Sequence, residues 1–300
     1  MAGPRVSVIV PTYNQAGFLR ECLGSLAAQT MPDWEAIVIN NHSDDDTIGV
    51  VERLNDARVT LIHFRNNGII AASRNLGMEK ARAGWIAFLD SDDRWRPAKL
   101  ERCLAAVTPD IDVLGHGMVM VRDGREVRTV RSGPQARTRY RSLLFDGTCI
   151  TPSAAMVRKD WLDRVGRFSE DAGYRTAEDY ELWLKLSLAG ARFAFIPDPL
   201  TVYRMHGASA SGSVATHLAA GLKIVGDHYA ALPDKSLRDK MRHRKRIASL
   251  HHGAARKYLP AGDARRALAA ARASIGTYPV FLRAYVTALA SLILNMKHRD

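Results

Sequence analysis

The period of the apolar positions changes several times along the chain. Arg5 to Val10 (RVSVIV) is a short β-branched run stopped by Pro11, the pattern of a buried strand. Phe18, Leu19, Cys22, Leu23 and Leu26 then fall at helical spacing and predict a helix over 18–28. Trp34 to Ile39 (WEAIVI) reads as a second strand. Asp46-Thr47 stands where a helix N-cap belongs, ahead of a helix over 48–54. Val59 to His63 is a third strand, 70–83 a helix, and Trp85 to Leu89 (WIAFL) a fourth strand that runs directly into Asp90. Strands alternating with helices at this rhythm predict an α/β fold: a mostly parallel sheet flanked by helices, with ligands at the strands' carboxyl ends.

Beyond Val107 the pattern loosens. Short strands are expected near 111–121 and 127–131, a polar stretch at 131–141, and helical periodicity over 177–189, in which Leu182, Trp183 and Leu186 are spaced for the core. After Ser213 the chain reads as helix, interrupted at Pro233, Pro260 and Pro279. The Gly- and Ser-rich stretch GASASGS places a boundary near 212, between a domain at 1–212 and a helical C-terminal extension at 213–300. Residues 255–275 (ARKYLPAGDARRALAAARASI) have the look of a tetratricopeptide hairpin, but once only, and repeat architectures need several copies.

Composition adds little until charge is divided along the chain. A length of 300 residues, 47% hydrophobic and 25% charged, is ordinary for a globular protein and excludes wholesale disorder. Cys22, Cys103 and Cys149 are far apart with no Cys-x-x-Cys pair, which argues against a zinc ribbon or a disulfide framework and suits a reducing cytosol. The N-terminal apolar run ends at Val10, too short for a signal peptide, and no stretch has 18 uncharged apolar residues. The net charge of +12 is concentrated at one end: residues 223–300 hold 16 Lys or Arg against five Asp and no Glu, leaving 27 basic and 26 acidic residues before them. A nearly neutral front part thus precedes a strongly basic back part, which either meets something anionic or solvates itself with arginine.

The acidic cluster Asp90-Ser91-Asp92-Asp93 follows an apolar strand. At a strand end, alternate side chains enter one crevice, so Asp90 and Asp92 can act together there. Two carboxylates share a site cheaply only with a cation between them, and oxygen ligands suit Mg²⁺ or Mn²⁺ bridging a nucleoside diphosphate. The bland alternative is a solvated turn in which Asp93 caps the next helix.

Taken with its neighbours, the cluster resembles a known family. VSVIVPTYN (6–14), the turn after IVI (37–39), NNGIIAASRNLGMEKARAGWIAFLDSDDRWRPAKLE (66–101), TAEDYELWLKL (176–186) and YRMHGASAS (203–211) stand in the order found in the inverting family 2 glycosyltransferases. The resemblance spans about 5–211. It implies the nucleotide-diphospho-sugar transferase (GT-A-like) fold, and sugar transfer with inversion from a nucleotide-diphosphate sugar donor to a glycan or lipid-linked acceptor, with Mn²⁺ or Mg²⁺.

Residue by residue, the resemblance makes Asp90 and Asp92 the Asp-x-Asp pair, with Asp92 the direct metal ligand and Asp90 nearer the ribose. Thr12, Tyr13 and Asn40 fall in the base pocket, and Arg74 and Asn75 beside the diphosphate, where an arginine fork grips phosphate oxygens. A helix-surface ion pair is the plainer reading of Arg74. Asp179 takes the place of the base that removes the acceptor hydroxyl's proton, with Glu178 as second choice or orienting partner. Acids in a first helical turn also gain from the helix dipole, so both readings can hold. His206, in Tyr-Arg-x-His, completes the metal site and tilts preference to Mn²⁺.

One departure stands at residues 40–43. The family carries Asp-Asp-Gly-Ser or Asp-Asn-Gly-Ser after its second strand; this chain has Asn40-Asn41-His42-Ser43. Asparagine still offers an acceptor and a donor to a base edge, and uridine, thymidine and guanosine donors all stay open. Asp44, Asp45 and Asp46 lack EF-hand spacing and read as acids at a helix start.

Lys240 to Lys257 is dense in cations, and the last helix, Val280 to Met296, is apolar apart from Arg283, Thr287, Ser291 and Asn295. A basic helix near an apolar one fits a cytoplasmic protein lying on the inner, anionic face of the cytoplasmic membrane through 223–300. A helical subdomain packed on the catalytic domain or on another subunit is the alternative. No nucleic-acid motif is present. Two rivals for the whole chain are a sugar nucleotidyltransferase, which needs a Gly-x-Gly loop where this chain has PTYNQAG, and a catalytically silent nucleotide-binding or scaffold protein.

Overall fold

The run that ends at Pro11 forms a strand buried along its whole length, β1 (Val6–Thr12), because uncharged β-branched residues are best accommodated with a neighbour on both sides. The structure, a computed structural model, describes residues 3–206 and 213–297. After β1 come α1 (Ala16–Ala27), β2 (Trp34–Asn40), α2 (Thr47–Leu54), β3 (Val59–His63), α3 (Ile70–Lys80) and β4 (Trp85–Phe88). These are followed by β5 (Arg94–Trp95), α4 (Lys99–Ala106), β6 (Val113–Arg122), β7 (Arg125–Val130), α5 (Tyr140–Asp146), β8 (Ala155–Arg158), α6 (Lys159–Arg164), α7 (Glu178–Leu188) and β9 (Phe193–Met205). The C-terminal part is helical: α8 (Val214–Ala230), α9 (Leu237–Tyr258), α10 (Ala264–Thr277) and α11 (Leu282–Lys297).

Among the described residues nine strands form one sheet in the order β3-β2-β1-β4-β8-β6-β9-β5, with β7 on β6. The first four strands pair in parallel throughout, with Val6 opposite both Trp34 and Trp85. Beyond β4 the sheet is mixed: β8 is antiparallel to β4 and β6, while β6 and β9 run parallel. The α/β architecture with flanking helices is the expected one. Strand order reverses about β1, which pairs with β2 on one side and β4 on the other, so the crevice at their carboxyl ends is the natural ligand site.

Helix α3 ends at Lys80 rather than running to 83. The Arg82 amide donates to Glu35 Oε1 and the Ala83 amide to Ser7 Oγ, which pulls the chain out of the helix before β4. Gly77, in the middle of α3, allows close approach to β1, since a Cβ there would meet Ile9 Cγ2 at 2.5 Å. That packing fixes the face of α3 carrying Arg74. Leu182, Trp183 and Leu186 of α7 are fully buried, as their spacing requires.

Two compact units divide the chain. One comprises 1–140, 148–170 and 178–207, and the other 141–147, 171–177 and 208–300. The expected boundary near 212 lies outside the described residues. In the second unit, Ser236 opens α9 with a reciprocal capping box to Asp239, and Arg141 pairs with Asp239. His252 and Thr287 join α9 to α11 at 3.1 Å.

Candidate active site

The carboxyl ends of β1, β2 and β4 bring the candidate residues of the first unit together. Thr12 ends β1, Asn40 ends β2, and Asp90 lies two residues beyond β4. Thr12 is buried, and its Oγ1 has no hydrogen-bond partner among the described residues; Tyr13 beside it is 52% exposed. A buried hydroxyl without a partner is a costly arrangement, and here it stands beside an exposed aromatic ring.

Asn40 has a different place. It is completely buried, its Oδ1 accepts from the backbone amide (3.0 Å) and Oγ (2.7 Å) of Ser43, and its Nδ2 lies 3.5 Å from His63 Nδ1. Its amide therefore shapes the turn on which Asn41 and His42 sit. The same turn is tied to the β1–α1 loop: the Asn14 amide donates to Ser43 Oγ, and the Asp44 amide to Asn14 Oδ1. Asp46 holds the expected N-cap position of α2, but its side chain makes no cap bond. Asp46 pairs with Arg53, while Asp45 accepts from the Thr47 amide and hydroxyl and from the Ala16 amide, and so starts both α2 and α1.

Arg74 is the centre of the site. Its side chain is only 3% exposed; one guanidinium nitrogen donates to Asp90 Oδ1 at 2.7 Å and another to Glu178 Oε1 at 2.6 Å. This is neither a helix-surface ion pair nor a free phosphate fork, since both arms are engaged by carboxylates. It joins the acidic turn after β4 to the start of α7, 104 residues away from Arg74 in sequence. Asn75 serves another contact: its Nδ2 donates to Phe168 O and Glu170 Oε1, and its Oδ1 accepts from the Phe168 amide, holding the 168–170 segment.

Asp179 follows Glu178 on α7 and is half-buried. Its carboxyl is pushed up to about 7, first by burial and then by the Glu178 charge, with Arg74 pulling it down. A carboxylate poised near neutrality is suited to accept a proton at physiological pH.

The metal candidates divide. His206 Nε2 lies 2.9 Å from Asp92 Oδ2, while Asp90 faces Arg74. Burial, followed by the Asp90 charge, raises the Asp92 carboxyl, and His206 draws it down. One carboxylate and one imidazole hydrogen-bonded to each other are donors of the kind Mn²⁺ takes, and further ligands would be needed to complete such a site. Among the described residues no group of three His, Cys, Asp or Glu stands ready to hold an ion without such help.

Sequence reasoning missed the groups that position this turn. Asp93 is buried and accepts from the Arg204 amide at 3.1 Å, tying the end of β9, two residues before His206, to the acidic turn. The Asp90 amide donates to Ser153 Oγ, and the Ser91 hydroxyl to Gln15 Oε1. Phe18 packs 4.7 Å from the His206 ring and under the Arg204 guanidinium. The sequence offered Asp93 only as the third acid of its cluster and a cap for the next helix, a role it does not fill, since α4 is capped at Ala98.

The model for the family described as "Glycosyl transferase family 2" matches residues 7–166. The chain belongs to glycosyl transferase family 2. It is 28% identical over 207 residues, 67% of this chain and 79% of the relative, to the putative teichuronic acid biosynthesis glycosyltransferase TuaG of Bacillus subtilis. It is also 28% identical, over 69% of this chain and 80% of the relative, to an Escherichia coli protein described as UDP-Glc:alpha-D-GlcNAc-diphosphoundecaprenol beta-1,3-glucosyltransferase WfaP. Among solved structures, mannosyltransferase PcManGT from Pyrobaculum calidifontis, in complex with GDP-Man and Mn²⁺, superposes with a TM-score of 0.63 at 18% identity, covering 100% of this chain and 89% of that one. That likeness carries the fold.

Proposed function

We propose that this family 2 glycosyltransferase is metal-dependent and inverting, and that it transfers a sugar from a nucleotide-diphosphate donor to the hydroxyl of a lipid-linked acceptor in cell-surface glycan synthesis. The observation that carries the reading is the Asp90–Arg74–Glu178 chain. It locks the donor-side turn to the helix bearing Asp179, so that a base with its carboxyl at about 7 is held against the place where a donor would sit. The TuaG and WfaP likenesses favour the cell-surface class and the lipid-linked acceptor. With its sheet edge built from Thr12, the turn at Asn40 and the acidic cluster, the chain has no Gly-rich loop of the nucleotidyltransferase kind.

In this reading Thr12 and Tyr13 receive the base, over a turn shaped by Asn40. Asp90, fixed by Arg74, faces the ribose, and Asn75 keeps the 168–170 segment in place beside the diphosphate. Asp92, with Asp90 and His206, would hold Mn²⁺ or Mg²⁺. Such an ion neutralises the charge of a departing diphosphate when bound. Asp179 takes the acceptor proton as the hydroxyl attacks opposite the leaving group, and Glu178 orients α7 through Arg74. The basic residues of 223–300 would bring the enzyme to the anionic inner face of the cytoplasmic membrane, where a lipid-linked acceptor lies. No helix among the described residues is long and apolar enough to cross a membrane.

The test is nucleoside-diphosphate release with Mn²⁺ across uridine, thymidine and guanosine diphosphate sugars, with Asp92→Ala as control. Release from one donor that is abolished by Asp92→Ala and by chelation supports the reading. Absence of both turnover and calorimetric binding with every donor would overturn it in favour of a silent scaffold.

A further inference from the structure

Helix α11 is packed inside out. Its buried positions are small or hydroxylated, Ala284, Thr287 and Ser291, and they turn toward the rest of the second unit through the Thr287–His252 contact. Its large apolar side chains face outward: Leu282, Tyr285, Val286, Leu289, Leu292, Ile293 and Met296 are all exposed, Leu282 at 75%, Val286 at 71% and Met296 at 68%. At about 100° of rotation per residue these seven occupy an arc of about 120°, opposite the buried face. A contiguous apolar stripe of this kind marks a surface that another phase or molecule covers.

Charge selects the occupant. Residues 223–300 carry 16 cations against five Asp. A second copy of the chain would bring two such surfaces face to face, which like charge opposes, whereas an anionic surface gains from every cation. Lys240, Arg256 and Lys257 of α9 and Arg265 and Arg272 of α10 are exposed and available for that attraction. Length selects the mode. The 16 described residues of α11 measure about 24 Å, less than the ~30 Å hydrocarbon core of a bilayer, and among the described residues no helix is long and apolar enough to cross a membrane, which suits a helix lying along the interface.

The geometry points to α11 as a membrane-insertion element: its outer stripe enters the headgroup–acyl boundary of an anionic bilayer, while the basic helices α9 and α10 supply the long-range attraction. This deepens the reading of a lipid-linked acceptor, but it is tested by binding rather than turnover.

The full chain is floated with vesicles of phosphatidylcholine and phosphatidylglycerol, seven parts to three, and with phosphatidylcholine alone. Binding to the anionic vesicles that weakens with salt is expected. The triple variant Val286→Ser/Leu289→Ser/Ile293→Ser changes only exposed positions, so its melting temperature should match the wild type. Its partitioning should fall by roughly a thousandfold, since burying each of the three aliphatic side chains is worth roughly tenfold in binding. Equal partitioning of variant and wild type, or wild-type binding to neither vesicle, would overturn the proposal. So would a solution dimer, seen by sedimentation equilibrium, that the triple variant dissociates, because a second copy would then cover the stripe. Donor release in lipid-free solution is the separating control: its failure with intact vesicle binding counts against the proposed reaction alone.

Discussion

The protonation of Asp179 offers the sharpest test of the proposed chemistry. Its carboxyl is held at about 7 by burial and by Glu178, against the pull of Arg74. If Asp179 accepts the acceptor proton, the rate of transfer follows its ionised fraction, which rises from about 9% at pH 6 to about 91% at pH 8, a tenfold gain. The informative perturbation is Glu178→Gln. Glutamine keeps the shape and still offers Arg74 an acceptor, but it removes a negative charge next to Asp179 in the chain and leaves the Arg74 cation less compensated. Both changes favour the Asp179 carboxylate, so the midpoint should move down by about one unit, the low end of the effect of a nearby like charge. The ratio of rate at pH 6 to rate at pH 8 would then rise from about 0.1 to about 0.5. The assay is the initial rate of nucleoside-diphosphate release at saturating donor and acceptor, from pH 5.5 to 9, with acceptor-free hydrolysis subtracted. A flat wild-type profile between pH 6 and 8, or a midpoint that rises in Glu178→Gln, would refute the assignment.

The same group has a consequence for folding. Native Asp179 keeps its proton up to about pH 7, whereas an unfolded aspartic acid loses it near 3.8, so the folded state loses stability as pH rises between the two. Asp179→Asn should therefore abolish transfer yet melt higher than wild type at pH 8, with no gain at pH 3, as read by calorimetry. Arg74→Met strands two carboxylates and should cost about 3–5 kcal/mol in urea unfolding, while adding Glu178→Gln should recover part of that loss. Lys99 is fully buried over the Trp95 ring, 3.5 Å from its centroid, and burial pulls its ammonium down to about 8. A lysine that binds its proton less tightly when folded weakens the protein at low pH and ceases to do so as pH rises through 8 toward the unfolded value. Lys99→Met should thus stabilise the protein at pH 7 by roughly 1–3 kcal/mol and flatten the rise in stability between pH 8 and 10, measured by urea midpoints.

Much of the fold was legible because its front half obeys local rules. The strands at 6–12, 34–40, 59–63 and 85–88 have β-branched or aromatic runs, and α1 and α7 have helical spacing, so each element announces itself within a dozen residues. The 13-residue strand β9 (FAFIPDPLTVYRM) did not, because Pro197 and Pro199 break its alternation. The irregularity is visible in the register of its partner, which shifts on both sides of Gly117, opposite Pro199. Local reasoning placed the N-cap at Asp46 as observed, but not the bonds of the neighbouring Asp45, because the two are equivalent as residue types and only the turn decides which carboxylate reaches the Thr47 amide.

The candidate site separates along the same line. Of the candidates, the carboxylates after a strand were readable from type and order, whereas the acidic pair at a helix start and the histidine after Tyr-Arg came from the family resemblance. What each is bonded to was readable from neither, because the deciding contacts are long-range, Arg74 to Glu178 across 104 residues, His206 to Asp92 across 114 and Asp93 to Arg204 across 111. That distance changes what the residues can do. A free Arg74 would be a phosphate clamp. Held by the buried Glu178 and the partly exposed Asp90, it is a strut whose exchange for phosphate would leave Glu178 buried and unpaired, at a cost of several kcal/mol. The same strut keeps the Glu178 charge beside Asp179, where it supports a carboxyl at about 7. On the proposed assignment, the pairing that engages Arg74 therefore also tunes Asp179, and donor-side and acceptor-side variants are expected to affect each other.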